Sequence, residues 1–216
     1  MGEETLECIE ENKKIKKIGI IGGTFDPIHY GHLIAAHWAQ ECFSLDKVIF
    51  MPAGTPPHKL DNNVLSAEHR YNMTLLATND QPNFEVSSME IKRKGPSYTI
   101  DTINELHRLY KGKDTQILFI TGADSILEIH TWKRYEDLLG KCFFIAVTRE
   151  GYDTLKLNRR IEDIHKIFGK RIFNVEIPSV GISSTELRKR IGNNKSVKYL
   201  VPSMVEQYII KNQLYK

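Results

Sequence analysis

The chain has 216 residues, of which 41% are hydrophobic and 26% are charged, with a formal net charge of +3. This length suits one domain with a core of its own. The small net charge permits anionic substrates, but the sequence lacks the dense basic stripe typical of nucleic-acid-binding proteins, so we expect no nucleic acid partner. The longest apolar runs reach only the length of a strand, so we expect no association with a membrane.

The cysteines and the first residues indicate where the protein works. Cys8, Cys42 and Cys142 are widely spaced and lack any metal-binding spacing, which is typical of reduced thiols in a cytoplasmic protein. Residues 1–14 are mostly charged and contain no apolar run of the signal-peptide type. We expect residues 1–14 to be a disordered extension and residues 15–216 to form a single domain. The oligomeric state stays open, and a homo-oligomer is possible.

Apolar segments of strand length alternate along the chain with segments of helical period. The pattern predicts a loop over residues 52–65, with Ser66 as the N-cap of the helix that follows it. Near-continuous apolar strands between helices are typical of an α/β fold, a Rossmann-like parallel sheet with helices on both faces. Strands are predicted at residues 17–21, 47–51, 84–91, 116–121, 142–147 and 171–177, and helices at 32–43, 66–79, 99–110, 184–191 and 202–214.

Ligands of such sheets bind beyond the carboxyl ends of the strands. The first of these ends is followed by residues 22–32, which read GGTFDPIHYGH. Two glycines allow the backbone to approach a phosphate closely, and the helix that follows offers unpaired N–H groups to an anion. His29 and His32, three residues apart, can point into one cleft and donate to phosphate oxygens. A plain tight turn or a metal-binding histidine pair is the alternative, although no third ligand with suitable spacing stands out.

Residues 22–32 resemble the GTFDPxHxGH signature of the HxGH nucleotidyltransferase superfamily, whose second signature is ISSTxxR. Residues 182–188 read ISSTELR. Ser183 or Ser184 at a helix N-cap would present donors to an anion, and Arg188 one turn later could grip phosphate oxygens as a fork. The alternative is an ordinary capped helix with a solvated arginine.

Three further segments follow strands or open helices: PPHK at residues 56–59, PSYTIDT at residues 96–102, and GAD at residues 122–124 with Trp132 beyond it. These segments resemble the nicotinate mononucleotide adenylyltransferase family, so that the similarity runs from about residue 17 to residue 208. The resemblance implies in-line transfer of the adenylyl group of ATP to nicotinate mononucleotide, without a covalent enzyme intermediate. Other members of the superfamily, an RNA-binding module and an oxidoreductase are the alternatives, although the GxGxxG fingerprint of the last is missing after the first strand.

The resemblance also implies which residues form the site. Mg²⁺ would be bound mainly by the phosphates of ATP, so we expect no metal ligands from the protein. The segment between Asp124 and Trp132 carries Glu128 and His130, for which the family suggests no role. The expected catalytic residues are His29, His32, Lys59 and Arg188. The expected ATP-binding residues are Gly22, Gly23, Phe25, His29, His32, Gly122, Asp124, Ile182, Ser183, Ser184 and Arg188, and the expected acceptor-binding residues are Thr24, Lys59, Thr99 and Trp132.

Overall fold

A computed structural model describes residues 15–56, 64–111 and 114–216. Within these ranges, six strands form one sheet in the order β3-β2-β1-β4-β5-β6, and every neighbouring pair is parallel. The predicted Rossmann-like parallel sheet is therefore confirmed. The strands are β1 (Lys16–Gly23), β2 (Lys47–Pro52), β3 (Phe84–Val86), β4 (Thr115–Gly122), β5 (Phe143–Arg149) and β6 (Ile172–Ile177).

Helices cover both faces of the sheet, because successive strand residues point to opposite sides. In β1, Ile18 and Ile20 pack into one apolar cluster, whereas Ile21 packs into the other. The helices are α1 (Tyr30–Phe43), α2 (Ala67–Thr78), α3 (Met89–Lys92), α4 (Thr99–Leu109), α5 (Ala123–Leu127), α6 (Tyr135–Lys141), α7 (Leu155–Phe168), α8 (Ser184–Gly192) and α9 (Ser203–Lys211). The cluster around Ile21 includes side chains of α1, α2, α8 and α9, and the opposite cluster includes side chains of α4 to α7.

The structure corrects the prediction of one strand and adds three helices. The strand predicted at residues 84–91 ends at Val86, because the hydroxyl of Ser87 accepts a hydrogen bond from the backbone N–H of Met89 at 3.2 Å and residues 89–92 turn into α3. The helices α5, α6 and α7 occupy stretches for which we predicted no element. The N-cap predicted at Ser66 is confirmed, since its Oγ accepts from the N–H of His69 at 3.4 Å.

The order of the strands reverses between β1 and β4, which lie side by side at the centre of the sheet. Connections leave these two strands in opposite directions, so a crevice opens beyond their carboxyl ends. Gly22 and Gly23 end β1, Gly122 ends β4, and Arg149 ends β5. Across the described residues, no helix is both long and apolar enough to cross a membrane.

Candidate active site

Two adjoining cavities occupy the crevice at the carboxyl edge of the sheet. One, which we call the tryptophan cavity because Trp132 lines it, has a volume of about 550 Å³. The other, which we call the histidine cavity because His29 and His32 line it, has a volume of about 430 Å³. The two cavities share the wall residues Gly22, Thr121 and Ser125. Molecules bound in the two cavities would therefore meet above the ends of β1 and β4.

The two histidines stand at the start of α1 in a defined geometry. Their rings stack with centroids 3.8 Å apart. The Nδ1 atom of His32 accepts a hydrogen bond from the backbone N–H of His29 at 3.2 Å. Nδ1 is therefore unprotonated, and the proton of the neutral ring lies on Nε2. A Cβ at Gly31 would lie 3.0 Å from Nδ1 of His29, so glycine at this position leaves room for the ring.

Both imidazoles are neutral at pH 7. Burial, followed by the positive charge of Arg149, lowers the pKa of His29 to about 4. Burial, followed by the repulsion that a protonated His29 would exert and by the positive charge of Arg149, lowers the pKa of His32 well below its usual value. Each ring therefore offers a neutral N–H donor, and Arg149 supplies the positive charge among the described residues that line the histidine cavity.

The start of α8 forms the opposite side of the histidine cavity, with Ile182, Ser183 and Ser184 in its wall. The Oγ of Ser183 caps α8 by accepting from the N–H of Glu186 at 3.2 Å. The hydroxyl of Ser184 instead donates to the carbonyl of Pro27 at 2.9 Å. Ser184 thus ties α8 to the turn after β1.

Two residues expected at the nucleotide lie behind the cavity wall. Phe25 is 2% exposed, and its ring meets that of His32 edge to face at 5.1 Å. Arg188 donates from Nη1 to the carbonyl oxygen of Asp26 at 2.7 Å, and is not among the residues that line the cavity. Phe25 therefore supports the His32 ring, and Arg188 is held on the turn that precedes α1.

The tryptophan cavity brings together Thr24 and Thr99 with Trp132, three of the residues expected at the acceptor. The indole of Trp132 packs edge to face on Phe119, with centroids 5.8 Å apart. Lys133 also lines the cavity, and its Nζ lies 4.2 Å from the centre of the Tyr98 ring. The cavity thus combines an aromatic wall with a cation.

A buried carboxylate forms another part of the tryptophan cavity. Glu90 is 8% exposed and accepts a hydrogen bond from the hydroxyl of Thr102 at 2.6 Å. That hydroxyl in turn accepts from Nη1 of Arg93 at 3.0 Å. Burial raises the pKa of Glu90. The network holds the loop before α4 against the cavity wall.

The remaining expected residues have other positions. Asp124 is exposed and accepts from the hydroxyl of Tyr152 at 2.9 Å, outside the lining of both cavities. Lys59 lies outside the described residues, as does the extension predicted at residues 1–14. Glu128 and His130 are exposed and line neither cavity. The segment before Trp132 contributes Ser125 and Thr131 to the tryptophan cavity instead.

Known proteins resemble this chain over almost its full length. A sequence model of the cytidylyltransferase-like family matches residues 20–190. A probable nicotinate-nucleotide adenylyltransferase of Thermoanaerobacter sp. (strain X514) is 52% identical over 200 residues, which cover 93% of this chain and 94% of that protein. A probable enzyme of the same name from Moorella thermoacetica is 52% identical over 200 residues, 93% of this chain and 92% of that protein. The chain belongs to the nicotinate-nucleotide adenylyltransferase family.

Solved structures support the fold of this family member. The nicotinic acid mononucleotide adenylyltransferase of Plasmodium falciparum complexed with NaAD has a TM-score of 0.75 and 24% sequence identity, covering 93% of this chain and 97% of that chain. The same protein complexed with APC has a TM-score of 0.74 and 23% identity, with 93% and 97% covered. At these identities the likeness establishes the shared architecture.

The structure of this nicotinate-nucleotide adenylyltransferase family member adds two cations that the sequence analysis did not select. They are Arg149, which directly follows the buried part of β5, and Lys133. For Arg149 a usable signal existed, because a charged residue directly after a buried strand lies at the ligand-binding edge of the sheet. For Lys133 the only signal was its position next to Trp132.

Proposed function

We propose that the chain transfers the adenylyl group of ATP to nicotinate mononucleotide, which forms nicotinate adenine dinucleotide and pyrophosphate for NAD biosynthesis. The observation that carries this proposal is the pair of cavities that meet at Gly22, Thr121 and Ser125. One cavity has donors and a cation suited to polyphosphate, and the other has an aromatic wall suited to a pyridine ring. The relatives at 52% identity bear the name of this activity.

The reaction is a displacement at the α-phosphorus of ATP. An oxygen of the acceptor's 5′-phosphate forms a bond to this phosphorus, and the bond to the bridging oxygen of the β-phosphate breaks, so pyrophosphate leaves with the electron pair. The acceptor phosphate is already ionised at neutral pH, so the step needs no general base. Catalysis then consists of positioning and of stabilising the negative charge that develops on the phosphate oxygens.

The chain's own groups suit this task. The Nε2–H of His32 is a neutral donor held in place by the bond to the backbone of His29. Such a preorganised donor stabilises charge without reorienting during the reaction. Arg149 adds a positive charge that draws the triphosphate into the histidine cavity. Arg188 and Lys59 are proposed as further phosphate ligands, on the family resemblance alone.

The nucleobase and its ribose have matching surfaces near the start of α8. Ile177, Val180 and Ile182 give the histidine cavity an apolar side on which adenine can lie. Gly122 leaves open space beside the end of β4, since a Cβ there would meet no atom within 4 Å. We propose that Asp124 accepts from the ribose hydroxyls, since a carboxylate can accept several hydrogen bonds besides the one that its Oδ1 accepts from Tyr152.

The acceptor is proposed to occupy the tryptophan cavity. The indole of Trp132 would stack on the pyridine ring, which is cationic in a mononucleotide. Thr99 begins α4, a helix of 11 residues, so its backbone N–H and the positive end of the helix dipole can meet the nicotinate carboxylate. Lys133 lines the same cavity with its Nζ 3.3 Å from Oδ2 of Asp101, so a bound carboxylate would share this cation with Asp101. Thr24, which also lines this cavity, would orient the attacking phosphate.

Mg²⁺ is proposed to enter with ATP, held by the phosphates. Among the described residues, no group of three or more histidine, cysteine, aspartate or glutamate side chains could hold a metal ion. The buried carboxylate of Asp26, which lies closest to the histidines in sequence, is bonded to the hydroxyl of Tyr215. That the protein contributes few or no ligands to the ion stays a prediction. A cytoplasmic location and a homo-oligomeric state stay predictions.

The function is tested by offering the purified protein four substrate pairs. The pairs are ATP with nicotinate mononucleotide, with nicotinamide mononucleotide and with phosphopantetheine, and CTP with choline phosphate. We expect pyrophosphate release and a dinucleotide product with nicotinate mononucleotide, and none with the last two pairs. The variant His32→Asn, prepared in the same way, controls for contaminating activity. Turnover of phosphopantetheine or CTP in place of the pyridine nucleotide would assign the chain to another activity.

A further inference from the structure

The turn between β1 and α1 is held from behind by three side chains that are distant in sequence. Nη1 of Arg70 donates to the carbonyl of Thr24 at 2.8 Å. Nη1 of Arg188 donates to the carbonyl of Asp26 at 2.7 Å. The hydroxyl of Tyr215, which follows α9, donates to Oδ1 of Asp26 at 2.7 Å. The turn leads directly into the histidine pair, so these contacts set the position of that pair.

The carboxylate of Asp26 is shared unequally between its neighbours. It is 2% exposed, so water does not solvate it freely. The hydroxyl of Tyr215 makes its short bond, whereas Nη1 of Arg188 lies 3.9 Å from Oδ2, beyond hydrogen-bond distance. Burial and the negative charge of Asp26 both raise the pKa of Tyr215, so the phenol stays protonated and continues to donate.

Arg188 is therefore held by the backbone carbonyl of Asp26, at 2.7 Å from Nη1, and not by the Asp26 carboxylate. Its second nitrogen, Nη2, lies 3.4 Å from the hydroxyl of Thr185, and its side chain is 28% exposed. It lies one helical turn beyond Ser184, which lines the histidine cavity. Residues four apart share a face of a helix, so a change of rotamer that exchanges the Asp26 carbonyl for a phosphate oxygen would bring the guanidinium towards a triphosphate in that cavity.

We propose that Tyr215 is a positioning residue for ATP, whose hydroxyl occupies the Asp26 carboxylate and so leaves Arg188 able to turn towards the triphosphate. This inference rests on the proposed function. A buried carboxylate that loses its donor attracts the nearest cation, because an unpaired charge away from water is strongly unfavourable. Without the hydroxyl, the guanidinium of Arg188 would close the gap of 3.9 Å and stay bonded to Asp26. ATP would then compete with an internal ion pair.

The test is the variant Tyr215→Phe, which removes the hydroxyl and keeps the ring that packs against the core. We expect the KM for ATP to rise about tenfold, because ATP would lose its contact with Arg188, and the loss of one hydrogen bond to a charged group typically has an effect of this size. The KM for nicotinate mononucleotide should stay within about twofold, because the tryptophan cavity is untouched. A general loosening of the fold would instead raise both constants and lower the thermal midpoint.

A matched control and a rescue separate the hydroxyl's effect from damage to the C-terminal segment. The control is Tyr208 on α9, whose hydroxyl also makes hydrogen bonds, at 3.0 Å from Nδ1 of His69 and 3.2 Å from Nδ2 of Asn72. Because these partners are not part of the turn before α1, Tyr208→Phe should leave both KM values unchanged. Adding Asp26→Asn to Tyr215→Phe removes the charge that attracts Arg188. We expect this double variant to recover most of the lost ATP affinity.

The outcomes distinguish this inference from the proposed function. If the parent protein does not convert ATP and nicotinate mononucleotide, the proposed function fails. If the parent is active and Tyr215→Phe has a normal KM for ATP, or raises both KM values equally, the positioning role is wrong. A double variant no better than the single one overturns it as well. Calorimetric titration of ATP into the parent and each variant measures the Kd for ATP directly, and so tests the same expectations without the reaction taking place.

Discussion

Nδ1 of His32 lies 3.2 Å from the backbone nitrogen of His29, whose N–H it accepts. This bond selects one tautomer of a neutral ring and aims its remaining proton, on Nε2, away from the backbone. In the proposed mechanism this proton meets the phosphate oxygens that gain charge. In that mechanism the two nitrogens of His32 have separate roles, one in the local structure and one proposed for catalysis.

Two substitutions at His32 separate these roles. The amide oxygen of His32→Asn can take the position of Nδ1 and keep the bond to His29, but it leaves no donor at the position of Nε2. We expect its turnover to fall by about a hundredfold with an unchanged thermal midpoint, as for the loss of one preorganised donor. His32→Gln places an amide near Nε2, so it should retain more turnover than His32→Asn. The measurements are kcat with saturating substrates and the thermal midpoint.

The control for His32 is His37→Asn, a histidine on the same helix whose side chain is 43% exposed. It should retain full turnover. A His32→Asn variant that works at the rate of the parent would remove His32 from the mechanism.

The lowered pKa of His29 predicts a specific loss of stability in acid. The pKa is about 4 in the folded protein and 6.5 without the fold. The unfolded chain therefore binds the proton first, so the stability linked to this histidine is complete above about pH 6.5 and is lost as the pH falls towards 4. From pH 7 to pH 4 the free energy of unfolding should fall by up to about 3 kcal/mol more in the parent than in His29→Gln.

Urea unfolding at several pH values between 7 and 4 measures this difference. His130→Gln, which changes an exposed histidine, should follow the curve of the parent. Parallel curves for the parent and His29→Gln would show that His29 is not a buried neutral group.

Arg149→Gln should weaken the binding of ATP. Its charge is the positive one among the described residues that line the histidine cavity, and charged hydrogen bonds to phosphate are stronger than neutral ones. We expect the KM for ATP to increase about tenfold, and Arg149→Lys to recover part of the loss because a lysine keeps the charge without the planar fork. Arg159→Gln, an exposed arginine of α7, is the control in the same steady-state assay. An unchanged KM in Arg149→Gln would place Arg149 outside the phosphate site.

Trp132 should determine the affinity for the pyridine ring and not the choice between the acid and the amide. Stacking is equally available to nicotinate and nicotinamide, whereas the carboxylate is distinguished by donors such as the N–H of Thr99. We expect Trp132→Ala to lower kcat/KM with both mononucleotides and to leave their ratio within about threefold, since the donors that discriminate are unchanged. Trp132→Phe should lie between the parent and Trp132→Ala. A ratio that collapses in Trp132→Ala would make the indole the specificity element.

The fold could be predicted because the sequence features that define the strands and helices, such as apolar runs and helix caps, lie within a few residues of one another. Buried strands are continuous apolar runs, and Ser66 caps α2 through a residue only three positions away. The prediction that the third strand extends to residue 91 was wrong because Ser87 and Ser88 favour a turn into α3. There, a hydrogen bond between a side chain and the nearby backbone replaces the hydrogen bonds that would extend the sheet. In α7, Leu157, Ile161, Ile164 and Phe168 carry a helical period that was available in the sequence and was not used.

By itself the sequence determined the parallel sheet, the two signatures and the edge at which ligands are expected, because these depend on spacing within short segments. Only the tertiary structure decided which cation enters the histidine cavity and what holds the turn before it. Arg149 reaches the histidines because β4 and β5 are neighbours in the sheet. Tyr215 bonds to Asp26 across 189 residues of chain, a contact that no local pattern encodes. Such contacts arise only when the packing of α9 and α8 against the sheet brings distant side chains to one buried carboxylate.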